Sequence, residues 1–358
     1  MARRMTVRQR VAAALRRERV DQVPLTIYPG MVPSGEFERS LRLQGLGFSV
    51  RVGLFSAETP NCSVERCEYS QDGVRYARTT IRTPVGEVHA TSRPGGAYGT
   101  TWAVDYYIKG PGDYRVIEFM VRDTVYQPAY DSFLQAVEDV GEDGYVMGNM
   151  GYSPLMEMRV RLLGTERFAF DLHDRPDLFF SLYETLREKQ REAYPILAGS
   201  PADVVTYCGN CSPEILGRER FEQYCIPCYN DLGEQLHARG KLLGVHLDAN
   251  NRLWKDAVAE SAIDVVEAFT PAPDTDMSVA DARAAWPDKV LWLNFPSSMH
   301  IASRERIKEQ TRELLRQAAP CDGLIVGITE NIPSHAWRTS LSAICEVLSE
   351  EAAPQGVN

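Results

Sequence analysis

His246 and Asp248 stand two residues apart in the stretch 241–251, KLLGVHLDANN. Residues 242–245 predict a short buried strand that ends at His246. In extended or nearly extended chain, positions i and i+2 point the same way. An imidazole nitrogen and a carboxylate converging at the C-terminal end of a strand make half of a metal site or an acid–base pair. The plainer reading is a histidine packed at a strand end and an aspartate capping the next helix, RLWKDAVAE. Which of these holds depends on what else the chain brings to the same end.

The elements that position the pair are clearest after residue 200. Residues 203–207, 242–245, 264–269, 290–295 and 324–328 are nearly continuous apolar runs and predict strands. Helical stretches alternate with them: 212–237, 250–261, one capped by Ser278 with Asp281 as its reciprocal partner, 304–318, and a last one from Ser334 or Thr339. Repeated βα units with strands of this kind predict a parallel sheet covered by helices. Strands are also expected at 23–28 and 144–150, and helices at 6–17, 155–163 and 176–194, the first capped by Thr6 with Gln9. Residues 29–50 have mixed patterning and predict a loop and a short helix over a barrel mouth, and 114–140 is expected to be mostly helical. Between residues 62 and 122 the texture changes to alternating segments rich in Thr, Val and Tyr, such as VRYARTTIRT and GEVHATSR, the mark of antiparallel strands with one wet face. The fold class expected is α/β: one (β/α)8 TIM barrel over residues 1–358, with an antiparallel β insertion at 62–122. No GxGxxG follows an early strand, which argues against a dinucleotide-binding sheet.

In such a barrel the active site lies at the C-terminal strand ends. Those ends carry Tyr28, Asn149, Cys208 with Asn210, His246 with Asp248, Thr270, Asn294, and Glu330 with Asn331. His246, Asp248 and Glu330 can converge as one nitrogen and two oxygen ligands of a divalent ion. Three protein ligands and an open position suit catalytic Zn²⁺, and two carboxylates also admit Mn²⁺ or Fe²⁺. The alternative is a hydrogen-bond or salt-bridge network at the rim. Asn210 and Asn294 are candidates for substrate or supporting contacts, and each can equally serve the fold.

Cys208-x-x-Cys211 and Cys225-x-x-Cys228 have the spacing of a four-cysteine zinc knuckle. Helical periodicity speaks against it. Phe221, Cys225, Cys228, Leu232 and Leu236 fall on one helix face, where cysteine behaves as a small hydrophobe. Cys225 and Cys228 are therefore expected in the core. The eight cysteines in 358 residues do not suggest a disulfide scaffold. A net charge of −10 argues against a general nucleic-acid partner. The basic start has no apolar core of a secretion signal, and no stretch approaches the roughly 20 apolar residues of a membrane span. A cytoplasmic location is expected.

Several stretches resemble the uroporphyrinogen decarboxylase superfamily: CSPEIL from Cys211, YCIP from Tyr224, LHARGKLLGVHLD from Leu236, VEAFTP from Val266, DMS from Asp276, WPDKVLWLN from Trp286 and GITENIP from Gly327. The resemblance covers roughly residues 120–350 and implies a (β/α)8 barrel. Its porphyrinogen decarboxylases carry an arginine-rich segment of the type MRQAGRY that holds substrate carboxylates. Here the matching place reads YPGMVPSGEF from Tyr28, without the arginines. The chain is more similar to the cobalamin- or corrinoid-linked methyltransferase branch, whose zinc site uses His-x-Cys and a later Cys to activate a thiol. His246 matches the histidine. Asp248 stands where the first cysteine would be, and Glu330 near the second. Carboxylates in place of thiolates imply a harder metal suited to an ether or phenolate oxygen.

The resemblance thus implies a metal-dependent methyltransferase, an O-demethylase passing methyl from a methoxylated small molecule to a corrinoid. The corrinoid would sit on a separate protein, since this chain has no Asp-x-His-x-x-Gly motif. A decarboxylase of a small carboxylated substrate, with His246 or Asp248 as acid or base, and a catalytically altered paralogue are the alternatives. A homodimer is also implied, for which the aromatic segment 102–107 can supply surface.

Overall fold

The computed structural model describes residues 4–96 and 99–352. Its strands, in chain order, are β1 (Leu25–Ile27), β2 (Leu46–Gly53), β3 (Phe55–Glu58), β4 (Ser63–Gln71), β5 (Val74–Thr83), β6 (Gly86–Pro94), β7 (Thr101–Asp105), β8 (Val125–Pro128), β9 (Gly144–Tyr152), β10 (Val204–Cys208), β11 (Leu242–His246), β12 (Val265–Phe269), β13 (Val290–Asn294) and β14 (Leu324–Ile328). Two compact units result. One takes residues 1–54, 130–151 and 201–358, the other 55–129 and 152–200.

The first unit is a closed parallel barrel in the order β1-β2-β9-β10-β11-β12-β13-β14. Strands β12, β13 and β14 are buried along their whole length, as expected of strands covered on both faces. Their inward residues do not leave a pore. Val204, Val265, Val290, Trp292 and Ile325 form one apolar cluster with Val7, Val11 and Leu15 of the helix Val7–Leu15. That helix begins at the expected capping box: Thr6 accepts from the Gln9 N–H and Gln9 reciprocates. Ser278 and Asp281 do the same for the helix Val279–Ala285.

The second unit holds the antiparallel sheet β4-β5-β6-β7, the two-stranded sheet β3-β8 and the helices Pro111–Asp123, Gly164–Asp174 and Pro176–Arg191. A tight turn at Pro84 and Val85 joins β5 to β6 as a hairpin.

One sequence expectation needs correction. Residues 29–50 are not only loop and short helix: they contain the start of β2, a barrel strand whose outer half is only half-buried and so lacks an apolar run. The stretch 114–140 is mostly helical as expected, with the strand β8 between its two helices. The region 212–237 is helical as expected, with a kink at Gly217, φ +69°.

Cys225 and Cys228 are fully buried, near Phe221, which stacks on Trp254 at 4.2 Å between ring centroids. Replacing both cysteines by Ala is expected to lower stability by about 1–3 kcal/mol through lost packing. Metal content should stay unchanged. Chemical denaturation with elemental analysis checks both, and loss of a bound ion in the double variant would reverse the assignment.

Candidate active site

Strand β11 delivers His246 to the C-terminal mouth of the barrel, and β12 delivers Glu267 beside it. Val265 and Glu267 are two residues apart, and Val265 belongs to the barrel's inner cluster, so Glu267 points inward as well. It is completely buried. The register of β12 slips just after Glu267, where the buried Ala268 takes φ +57°. Such a bulge costs an alanine some backbone strain and re-aims the strand end, a device common beside active sites. Gly209, on the loop after β10, presses against the histidine: a Cβ there would stand 1.9 Å from the His246 carbonyl oxygen. Any side chain at that position would displace His246.

Glu267 organises the cluster. His246 Nδ1 lies 2.5 Å from Glu267 Oε2. The carboxylate only accepts, so Nδ1 carries the proton and donates it, an assignment made from the hydrogen-bond network. The Tyr28 hydroxyl donates to Oε1 at 2.6 Å, and Arg51 Nη2 donates to the same oxygen at 3.3 Å. Arg51, from β2, also lies 4.6 Å over the Tyr28 ring, a cation–π contact. On the other side of the imidazole, Nε2 stands 3.4 Å from Asp248 Oδ2.

These charges set the protonation states. Burial alone would push the His246 imidazole down, but the Glu267 and Asp248 carboxylates outweigh it and raise its pKa to about 9. Burial would raise both carboxyls, yet His246 and Arg51 hold Glu267 below the ordinary glutamate range, and His246 does so for Asp248. Metal-free at neutral pH, the site is an imidazolium between two carboxylates.

The other expected residues are placed as follows. Glu330 lines a cavity of about 330 Å³ with Asp248, Thr270 and Asn294. Although Glu330 is exposed, desolvation of its carboxyl and the Asp248 charge push its pKa up. Asn294 is buried, and its amide is used at both ends: Nδ2 donates to Thr270 Oγ1 at 3.1 Å and Oδ1 accepts from the Thr329 N–H at 3.0 Å. Asn210 is exposed on the loop after β10 at φ +66°, a conformation asparagine tolerates. Cys208 Sγ donates to Asn149 Oδ1 at 3.4 Å, and burial raises its thiol pKa.

The donor set fits a divalent ion in part. Two ligands each about 2.0–2.1 Å from one tetrahedral ion stand roughly 3.4 Å apart, the spacing of Nε2 and Oδ2. Nδ1 is already held by a carboxylate, the usual support behind a ligating histidine. Glu330 is not gathered with this pair. Among the described residues no group of three or more His, Cys, Asp or Glu side chains stands ready to hold an ion. Glu267 and Arg51 were missed in the sequence. The available signal was a single carboxylate inside the apolar run VVEAF.

The fold and its polar cluster define a TIM barrel with its ionisable site at the C-terminal mouth. The uroporphyrinogen decarboxylase (URO-D) family model matches residues 114–350. The chain belongs to this family. Among solved structures it shares its fold with a methyltransferase from Methanosarcina mazei, at 14% identity and TM-score 0.58, covering 98% of this chain and 100% of that one. A broad-specificity GH5-4 endoglucanase from an uncultured bacterium is more distant, at 10% identity and TM-score 0.46 over 98% of this chain and 97% of that one. None of the curated proteins compared matches the chain. No helix among the described residues is long and apolar enough to cross a membrane.

Proposed function

We propose that this protein is a metal-dependent methyltransferase of the corrinoid-linked kind, an O-demethylase that passes methyl from a methoxylated small molecule to a corrinoid on a separate protein. The observation that carries the reading is the 3.4 Å pair of His246 Nε2 and Asp248 Oδ2, backed by Glu267 on Nδ1. The URO-D family membership and a barrel shared with a methyltransferase agree with it.

In this reading His246 and Asp248 would hold a divalent ion, Zn²⁺ or a harder ion suited to the carboxylate, with Glu330 closing from the cavity wall. When bound, such an ion stabilises negative charge on the substrate oxygen that loses its methyl. Glu267 keeps the proton on Nδ1, so Nε2 is the nitrogen free to ligate once its own proton leaves. Arg51 and Tyr28 hold Glu267 in place. The cavity brings Glu214, Asp248, Asp274 and Glu330 together and has no Lys or Arg in its lining. A neutral methyl ether enters such a space more easily than an anion, because each carboxylate repels like charge. The same lining disfavours the alternative of a decarboxylase acting on a small carboxylated substrate.

Protein purified without chelator or polyhistidine tag is expected to carry one divalent ion per chain. His246→Ala should remove both the ion and demethylation of a methoxylated substrate with its corrinoid partner, while circular dichroism stays unchanged. A metal-free wild type together with a His246→Ala variant that still demethylates would overturn the reading. A metal-free wild type without activity would favour the altered paralogue.

A further inference from the structure

The stretch that carries His246 and Asp248 closes on two asparagines, Asn250 and Asn251. Asn251 is 1% exposed, and a polar side chain so deeply buried costs free energy unless hydrogen bonds replace its lost water. Its amide is used at both ends. Nδ2 donates to the Leu247 carbonyl at 3.0 Å and to the Ala249 carbonyl at 2.7 Å. Oδ1 accepts from the Trp254 indole N–H at 2.8 Å. The indole only donates and the two carbonyls only accept, so the network admits one orientation of the amide.

The two carbonyls stand on either side of Asp248, the residue whose carboxylate lies 3.4 Å from His246 Nε2. Little else holds this piece of chain. Strand β11 ends at His246, and the next helical turn begins only at Arg252. The Leu247 N–H still donates to the Glu267 carbonyl at 2.9 Å, but among the described residues no backbone–backbone hydrogen bond involves Asp248, Ala249 or Asn250. The seat of the amide, by contrast, is firm. Trp254 is fully buried against Phe221. The Asn251 N–H donates to Asp276 Oδ1 at 3.0 Å, on the loop after β12. Asn250 ties the same loops together: its Oδ1 accepts from the Asp276 N–H at 3.0 Å and its Nδ2 donates to Glu214 Oε1 at 2.7 Å.

We infer that Asn251 is a positioning residue, whose amide clamps the turn on both sides of Asp248 and so fixes the spacing of Asp248 Oδ2 and His246 Nε2. Its consequence for an ion rests on the proposed reading of those two residues as ligands; the clamp itself does not. Groups that orient a ligating side chain are worth about 10–100-fold in ion affinity, because an unclamped ligand must be ordered again at each binding event.

Asn251→Asp tests the clamp at nearly constant shape. The new carboxylate still accepts from Trp254, but it lacks both donors and sets an oxygen against two carbonyl oxygens. Asn251→Ala removes all three bonds and carries the same comparison if the aspartate variant fails to fold. Trp254→Phe is the control: it loses the indole N–H and some buried packing, and leaves both donors on the turn. Thermal melts rank the loss of stability in the three variants. In crystal structures of the metal-free proteins, the Asp248 carboxylate should leave His246 Nε2 in the Asn251 variants and keep its place in Trp254→Phe. Zn²⁺ affinity, measured by competition with a chromogenic chelator, should fall about tenfold or more in the Asn251 variants and stay near the wild-type value in Trp254→Phe. The visible absorption of the Co²⁺-loaded protein should change shape in the Asn251 variants alone. An Asp248 that stays in place without the clamp, or a Zn²⁺ affinity that follows stability across all three variants, would overturn the inference. A wild type that binds no Zn²⁺, with Asp248 still displaced in the Asn251 variants, would uphold the clamp and remove the ion from the proposed function instead.

Discussion

Replacing Glu267 by Gln is expected to destabilise the protein by about 3 kcal/mol, because it removes one charge from a buried, paired set and leaves its partners uncompensated. Glu267 is wholly buried, and the Arg51 side chain beside it is 16% exposed, so water cannot take over the lost pairing. The His246 titration should move down from about 9, since burial then opposes the imidazolium with only Asp248 to hold it. Denaturant unfolding measures the first effect and histidine NMR titration the second. On the proposed function, demethylation should fall with them, because the proton on Nδ1 and the orientation of the ring both depend on this carboxylate. Unchanged stability with an unmoved His246 titration would show that Glu267 does not organise the site.

Acid should weaken the fold through a different histidine. His300 is buried, its Nδ1 lies 2.7 Å from Ser340 Oγ, and its Nε2 has no hydrogen-bond partner among the described residues. Burial lowers its pKa from 6.5 to about 4, with a small opposing pull from Asp274. Below pH 6.5 the unfolded chain takes up a proton that the folded chain refuses. The contribution is therefore full above 6.5, is lost as pH falls toward 4, and amounts to about 3 kcal/mol. His246 acts in the opposite sense. Its folded pKa is raised to about 9, so its contribution is full below 6.5 and is lost as pH rises through 9. The two histidines together favour the fold most near pH 6.5. His300→Asn keeps a polar partner for Ser340 and removes the titration, so stability measured from pH 7 to pH 4 should fall less steeply than in the wild type. An identical acid slope would exclude His300 as the source.

Much of this architecture follows from local rules. The capping boxes at Thr6 and Ser278 need only a side chain and the backbone three residues on. The apolar runs of β10 to β14 mark strands covered on both faces, and their alternation with helices specifies a parallel barrel. Such a barrel puts the ends of its strands at one mouth, which is why His246 and Asp248 were legible as a pair. Strand β2 was not, because its outer half is only half-buried and its pattern is mixed. With it went Arg51. The partner of His246 was hidden for another reason. Glu267 is 21 residues away and Arg51 195 residues away, and contact between them depends on the register in which β2, β11 and β12 close around the barrel. A slip of one residue turns a side chain to the opposite face. The bulge at Ala268 sets that register at the decisive place. Residue types and spacing therefore mark out which groups can reach the mouth, and only barrel closure decides which carboxylate meets which nitrogen.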